Sequence, residues 1–188
     1  MEQIRQYFES EFRITPSDWE VFSSKLSRHV FPKKSKLLQM GKVENHLSFI
    51  EKGIVRLYIP LKDGELTFGF VFSGAFVSAY DSFLTQKPSE YVVETITDTV
   101  LWRLGHKELQ EVYASSNIGN LIGRKASEEL FLKKSKRELS LLRDSAEQRY
   151  LNLFDERPEL LREIPLKYIA SYIGVTPQAL SRIRRRIS

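Results

Sequence analysis

The sequence predicts an α+β chain: short helices, then a β-roll, one long helix, and a C-terminal all-α unit. Three observations carry this. Residues 30–104 fall into period-two, β-rich runs separated by turn signals. Residues 116–142 return to a 4-3 helical spacing. From Leu166 to Arg186 the chain spells two short helices parted by a glycine turn.

Residues 1 to about 30 read as helical. Ile4, Tyr7, Phe8 and Phe12 recur at helical spacing, and Thr15-Pro16-Ser17-Asp18 is a start signal with Thr15 as N-cap and Pro16 at N1. Trp19, Phe22 and Leu26 then form the apolar face of a second short helix. Strands are predicted at 36–40, 47–53, 54–59, 66–72, 91–96 and 99–104. Lys62-Asp63-Gly64-Glu65 is read as a type I′ hairpin turn, because Asp-Gly suits its positive-φ geometry. Short strands at this spacing suggest a small jelly roll or barrel.

Ser116 or Asn117 can cap a long helix running to about Leu142. Its stripe is Ile118, Leu121, Lys125, Glu128, Leu132, Ser135, Leu139 and Leu142, an imperfect heptad seam with a polar middle. Such a stripe favours pairing with a second copy through Ile118, Leu121, Leu132, Leu139 and Leu142; the alternative is packing against its own barrel. A further helix, Ala146 to Phe154, precedes a break at Arg157-Pro158.

The terminal segment reads as a helix-turn-helix. Ile169, Ala170 and Ile173 share one face of its first helix, and Ala170 is small where the second helix must cross. Gly174 supplies the positive φ that the turn needs. Thr176 is an N-cap, Pro177 suits N1, and Val175 with Leu180 occupy the positions of a hydrophobic staple. Leu180 and Ile183 face back, leaving Thr176, Gln178, Ser181 and Arg182 outward, followed by Arg184, Arg185 and Arg186. A helix of this kind suits a major groove.

The 188 residues carry a net charge of +5, placed unevenly. From Lys133 onward there are 13 basic and 7 acidic residues, so the positive excess lies with the helix-turn-helix, as a polyanionic partner requires. The absence of cysteine excludes disulfides and thiolate metal sites, and His29, His46 and His106 lack metal-ligand spacing. No membrane-length apolar run and no signal-peptide h-region occur, so a cytoplasmic location is expected. No nucleophile–base constellation or phosphate-binding glycine loop argues for an enzyme.

A β-roll, a long helix and a terminal helix-turn-helix together resemble the Crp/Fnr family of bacterial transcription regulators. The resemblance rests on Phe49-Ile-Glu-Lys-Gly53-Ile-Val55-Arg56-Leu-Tyr58, similar to the strand–Gly–strand signature of the cyclic-nucleotide-binding fold, and on the helix-turn-helix. It implies a β-roll sensor domain at 1–115, a dimerisation helix at 116–143 and a DNA-binding domain at 144–188. It implies a homodimer on double-stranded DNA, with RNA polymerase as a further partner. Arg182 falls where the family has a guanine-reading arginine, and Gln178 where a base-reading Glu or Gln is usual. Thr176 and Ser181 can meet phosphate or base, and Arg184, Arg185 and Arg186 are expected to meet phosphates. Pro177 departs from the Arg or Ser usual at its position, so the operator of well-known members does not carry over.

The chain also departs from members that bind cyclic AMP. Its cassette-like stretch starts Gly74-Ala75-Phe76, without the carboxylate that would hold a ribose hydroxyl, and no arginine lies between Arg56 and Arg103. Phe72, Phe76, Tyr80, Phe83 and Tyr91 stand there with Gly74 instead. The expectation is no cofactor and a pocket that does not take cyclic AMP: it either holds a more apolar effector or is filled by these aromatics. Micromolar binding of a cyclic nucleotide in calorimetry would contradict this. The competing reading of the whole chain is a ligand-binding or protein-interaction module without DNA binding.

Overall fold

The computed structural model describes the chain apart from Arg13, Ser116 and Ser188, and apart from the side chains of Ser10, Glu11, Phe12, Ser115, Asn117, Ile118, Leu121 and Ile122. The dimer-seam expectations for Ile118 and Leu121, and the contribution of Phe12, therefore lie outside the described residues. The chain divides into two compact units: Met1–Tyr58 with Phe70–Ala126, and Ile59–Gly69 with Ser127–Ser188.

The first unit opens with helices α1 (Glu2–Phe12) and α2 (Pro16–Ser23). The start signal at Thr15 forms a full capping box: the Asp18 N–H donates to the Thr15 hydroxyl, and the Asp18 carboxylate accepts from the Thr15 N–H. Among the described residues eight strands follow: β1 (Ser27–Phe31), β2 (Lys36–Leu38), β3 (His46–Lys52), β4 (Ile54–Leu61), β5 (Gly64–Phe72), β6 (Phe76–Val77), β7 (Val92–Thr95) and β8 (Thr99–Gly105). Helix α3 (Tyr80–Thr85) interrupts them and α4 (His106–Ser115) follows. The strands form two four-stranded sheets, ordered β1-β8-β3-β6 and β2-β7-β4-β5, a jelly-roll arrangement.

Most strands lie where the alternation puts them, but β1, β6 and α3 were not expected. β1 is nearly all exposed and carries no hydrophobic alternation, so only its pairing with β8, Ser27 opposite Arg103 to Phe31 opposite Thr99, defines it. The hairpin turn is a correction. Gly64, the first residue of β5, takes a positive φ of +139° as expected, but Asp63 does not, so the turn is not type I′.

Alternation along β3 and β8 sorts the core of this unit into two layers. Leu47, Phe49, Trp102 and Leu104 turn towards the helices and join Ile4, Phe8, Phe22, Leu109 and Val112 in one apolar cluster. Ile50 and Leu101, both fully buried, face the other way. Edge-to-face rings consolidate the helix-side layer, with Phe8–Phe22 at 4.7 Å and Phe49–Phe76 at 5.1 Å, each worth roughly 1 kcal/mol beyond area burial.

The long helix α5 (Asn117–Arg143) follows, then α6 (Ala146–Glu156), α7 (Pro158–Glu163), α8 (Leu166–Tyr172) and α9 (Pro177–Ile187). Ser145 caps α6 through its hydroxyl, which accepts from the Gln148 N–H at 3.1 Å. The break expected at Arg157-Pro158 falls between α6 and α7: Arg157 is non-helical, and Pro158 starts α7 at N1, where its missing N–H costs nothing. Tyr150, Leu153, Leu160, Ile164, Ile169, Ala170, Ile173, Leu180 and Ile183 are all buried and form the apolar interior of the second unit's α6–α9 helices. The outer part of the β4–β5 hairpin belongs to this second unit.

Candidate nucleic-acid interface

The turn between α8 and α9 is a Schellman motif. The Gly174 N–H donates to the Ser171 carbonyl at 3.2 Å, and the Val175 N–H donates to the Ala170 carbonyl at 2.9 Å. Gly174 adopts φ +78°, the left-handed conformation that a side chain resists. Ala170, with no exposed surface, lies in the interior with Leu180 and Ile183, as a close crossing of two helices requires. Thr176 then starts α9: its hydroxyl accepts from the Ala179 N–H at 3.2 Å, satisfying one orphan donor of the first turn.

This packing decides which side chains of α9 remain outside. Gln178, Ser181, Arg182, Arg184, Arg185 and Arg186 are all exposed, as is Thr176. They are not equally available. The Ser181 hydroxyl donates to the Pro177 carbonyl at 3.0 Å, one turn back in its own helix, and so retains only acceptor capacity. Arg186 pairs with Glu147 of α6 at 2.8 Å, an ion pair that a phosphate would have to displace. An open groove of about 580 Å³ beside α9 has an apolar floor of Ala146, Val175, Ala179 and Ile183 and a rim of Arg182, Arg185 and Arg186.

Arg149 on α6 was missed by sequence reading, and no local pattern marks it. Its guanidinium donates to the Ile173 carbonyl at 2.9 Å and to the Asp144 carbonyl at 2.5 Å. It thereby closes the C-terminus of α8 and the residue that follows α5, at a helix end where cations are favoured.

The apolar positions of the expected seam on α5 are exposed where they are described. Leu132 is 65% exposed, Leu139 59% and Leu142 79%. Phe131, which the 4-3 spacing omitted, is 69% exposed beside them. Lys125 and Ser135 are half-buried and Glu128 is exposed. Three leucines and a phenylalanine, each more than half exposed on one helix, are an unusual surface.

The candidate effector-pocket residues separate. Phe83 is fully buried in the helix-side cluster, with Phe76 and Tyr80 packed against it; these three fill the core. Phe72 is half-buried at the end of β5, and Gly74 is exposed at φ +87°. Tyr91 donates its hydroxyl to Asp81 of α3, and burial first, then this bond, pushes its phenol well above the ordinary tyrosine range. The two arginines flanking this stretch in sequence are both engaged. Arg56, 1% exposed, pairs with Glu94 across β4 and β7 at 3.1 Å and lies 3.9 Å from the centre of the Tyr58 ring. Arg103 faces Glu44 at 4.0 Å. Burial raises the Glu44 carboxyl above its usual range, against backbone N–H groups of His46, Ala79 and Asn45 that favour its ionised form.

Among the described residues there is no cluster of potential metal ligands and no helix long and apolar enough to cross a membrane.

Residues 28–116 match the cyclic nucleotide-binding domain family. No curated protein sequence matches the chain. Solved structures resemble it over most of its length. The c-di-GMP-responsive global regulator CLP of Xanthomonas campestris is 20% identical, with 92% of this chain and 91% of that one covered at a TM-score of 0.71. FixK2 from Bradyrhizobium japonicum is 17% identical, with coverage of 86% and 84% and a TM-score of 0.71. A protein of Eubacterium rectale assigned to the Crp/Fnr family of transcriptional regulators is 16% identical, with coverage of 96% and 87% and a TM-score of 0.73. Residues 28–116 are thus similar to the cyclic nucleotide-binding domain family, and the chain shares the fold of these solved structures, one of them assigned to the Crp/Fnr family.

Proposed function

We propose that this chain is a sequence-specific DNA-binding transcription regulator of the Crp/Fnr type, acting as a homodimer. One observation carries the reading. α9 buries Leu180 and Ile183, leaves Gln178 and Arg182 exposed on its outer side, and ends in three exposed arginines. Gln178 and Arg182 are the base readers, with Thr176 and Ser181 beside them. Arg184, Arg185 and Arg186 hold phosphates. The fold shared with CLP and FixK2 supports this assignment, and the exposed Leu132, Leu139 and Leu142 supply the face on which a second copy pairs. RNA polymerase is the protein partner such a regulator meets.

The roll does not take cyclic AMP in this reading. Of the two arginines flanking the cassette-like stretch, Arg56 is ion-paired with Glu94 and Arg103 faces Glu44 at 4.0 Å, and Phe76, Tyr80 and Phe83 are used for packing. Titration calorimetry with cyclic AMP is expected to show no micromolar binding; a micromolar isotherm refutes this part.

Arg182→Ala is expected to cost about 1–3 kcal/mol on the specific site and to relax preference at one base pair per half-site. Affinities measured on a set of single-base operator variants check it. An equal loss on every sequence would make Arg182 a phosphate contact instead.

A further inference from the structure

β5 is the edge strand of its sheet, so one rim of its backbone has no strand neighbour. At the tip of the hairpin this rim is covered by α8. The Thr67 N–H donates to the Ser171 hydroxyl at 2.7 Å, and that hydroxyl donates onward to the Glu65 carbonyl at 2.6 Å. Ser171 thus offers the donor and acceptor that a paired strand residue would offer to positions i and i+2. The Thr67 hydroxyl completes the set at 3.1 Å from that of Ser171. Thr67 has no exposed surface, so its N–H has no route to water.

A third element meets the same point. Arg137 of α5 donates to the Tyr172 carbonyl at 2.7 Å and to the Thr67 carbonyl at 3.5 Å, with its guanidinium 3.8 Å from the centre of the Tyr172 ring. Lys134, one turn earlier, sits 5.5 Å from the Phe68 ring. All these residues belong to the second unit. The hairpin tip, the C-terminal half of α5 and the first helix of the helix-turn-helix are therefore joined at one polar node, through bonds spanning 35 to 104 residues of sequence.

We propose that Ser171 and Arg137 are positioning residues for DNA binding: with Thr67 they lock the helix-turn-helix onto α5, which sets the spacing between the two recognition helices of a dimer. The proposal rests on the regulator reading above. Its physical basis is that reading two half-sites needs both recognition helices held about one DNA turn apart, whereas a single half-site makes no such demand. A loosened node costs affinity only when both halves must be met together.

The test uses the full chain and two duplexes: the two-half-site motif recovered by selection from host genomic DNA, and the same duplex with one half-site scrambled. Ser171→Ala is expected to weaken binding to the two-half-site duplex about tenfold, the scale set by leaving a buried donor unsatisfied, while affinity for the single half-site stays unchanged. Ser171→Thr, which keeps the hydroxyl, restores the wild-type ratio. Arg137→Lys, which keeps the charge but loses the planar fork, lowers the ratio as Ser171→Ala does. Amide exchange at Thr67 accelerates in Ser171→Ala. Equal losses on both duplexes, or no loss while wild type binds, overturn the node proposal alone. A wild-type chain that discriminates no motif overturns the regulator reading and the node with it.

Discussion

Leu132→Glu combined with Leu139→Glu is expected to leave the chain monomeric under conditions where the wild type is a dimer. In a two-fold pair each substitution occurs twice, so four leucine side chains leave the seam. Full burial of one leucine is worth about 1.5–3 kcal/mol, and each glutamate brings a charge that the seam cannot pair. A loss of about 5 kcal/mol or more follows, weakening association by at least roughly a thousandfold. Both leucines are more than half exposed in the single chain, so its own core loses little. Sedimentation velocity with far-ultraviolet circular dichroism separates the outcomes. A folded monomer is the predicted variant; a variant that remains dimeric places the interface elsewhere.

Gly53→Ala is expected to destabilise the first unit by about 2–5 kcal/mol. Gly53 joins β3 to β4 at φ +108°, where an L-residue is strained by roughly 1–2 kcal/mol. A methyl there would also stand 2.7 Å from the Asp98 carbonyl oxygen and 2.9 Å from the Thr99 Cα. Both are backbone atoms at the start of β8, which a rotamer change cannot move aside, and forced repacking adds about 1–3 kcal/mol. Gly41→Ala is the control: Gly41 has φ +82° with nothing within 4 Å, so it reports the strain without the clash, about 1–2 kcal/mol. Urea unfolding of both variants measures the difference. Equal losses would mean that the β3–β4 junction yields to the methyl group.

What the sequence made legible follows the range of the forces involved. The helix-turn-helix was readable residue by residue because a cap, a left-handed glycine and i, i+3 apolar spacing are local. Gly174, Thr176, Leu180 and Ile183 each sit as those rules require. The roll was readable where strands alternate and unreadable at β1, whose exposed residues carry no pattern and which exists through its pairing with β8. At the hairpin tip, Asp63-Gly64 announced a turn, but the dipeptide rule expected positive φ at both residues and only Gly64 has it. The node at Ser171 had no signal at all, since a serine at the penultimate position of a helix reads as solvated until Thr67 arrives from 104 residues away. In the cassette-like stretch, sequence supplied the aromatics without saying which of them pack: Phe76, Tyr80 and Phe83 join Ile4, Phe8 and Phe49 in one cluster only because α1 folds over β3.

The measurement that bears most directly on the central claim is selection of fragments bound from host genomic DNA at about 0.15 M salt, followed by sequencing. The account predicts a shared two-fold symmetric motif whose half-sites lie about 10 base pairs apart, one for each α9 of a dimer. Recovery of no shared motif, with host cell extract present to supply any effector, would contradict it.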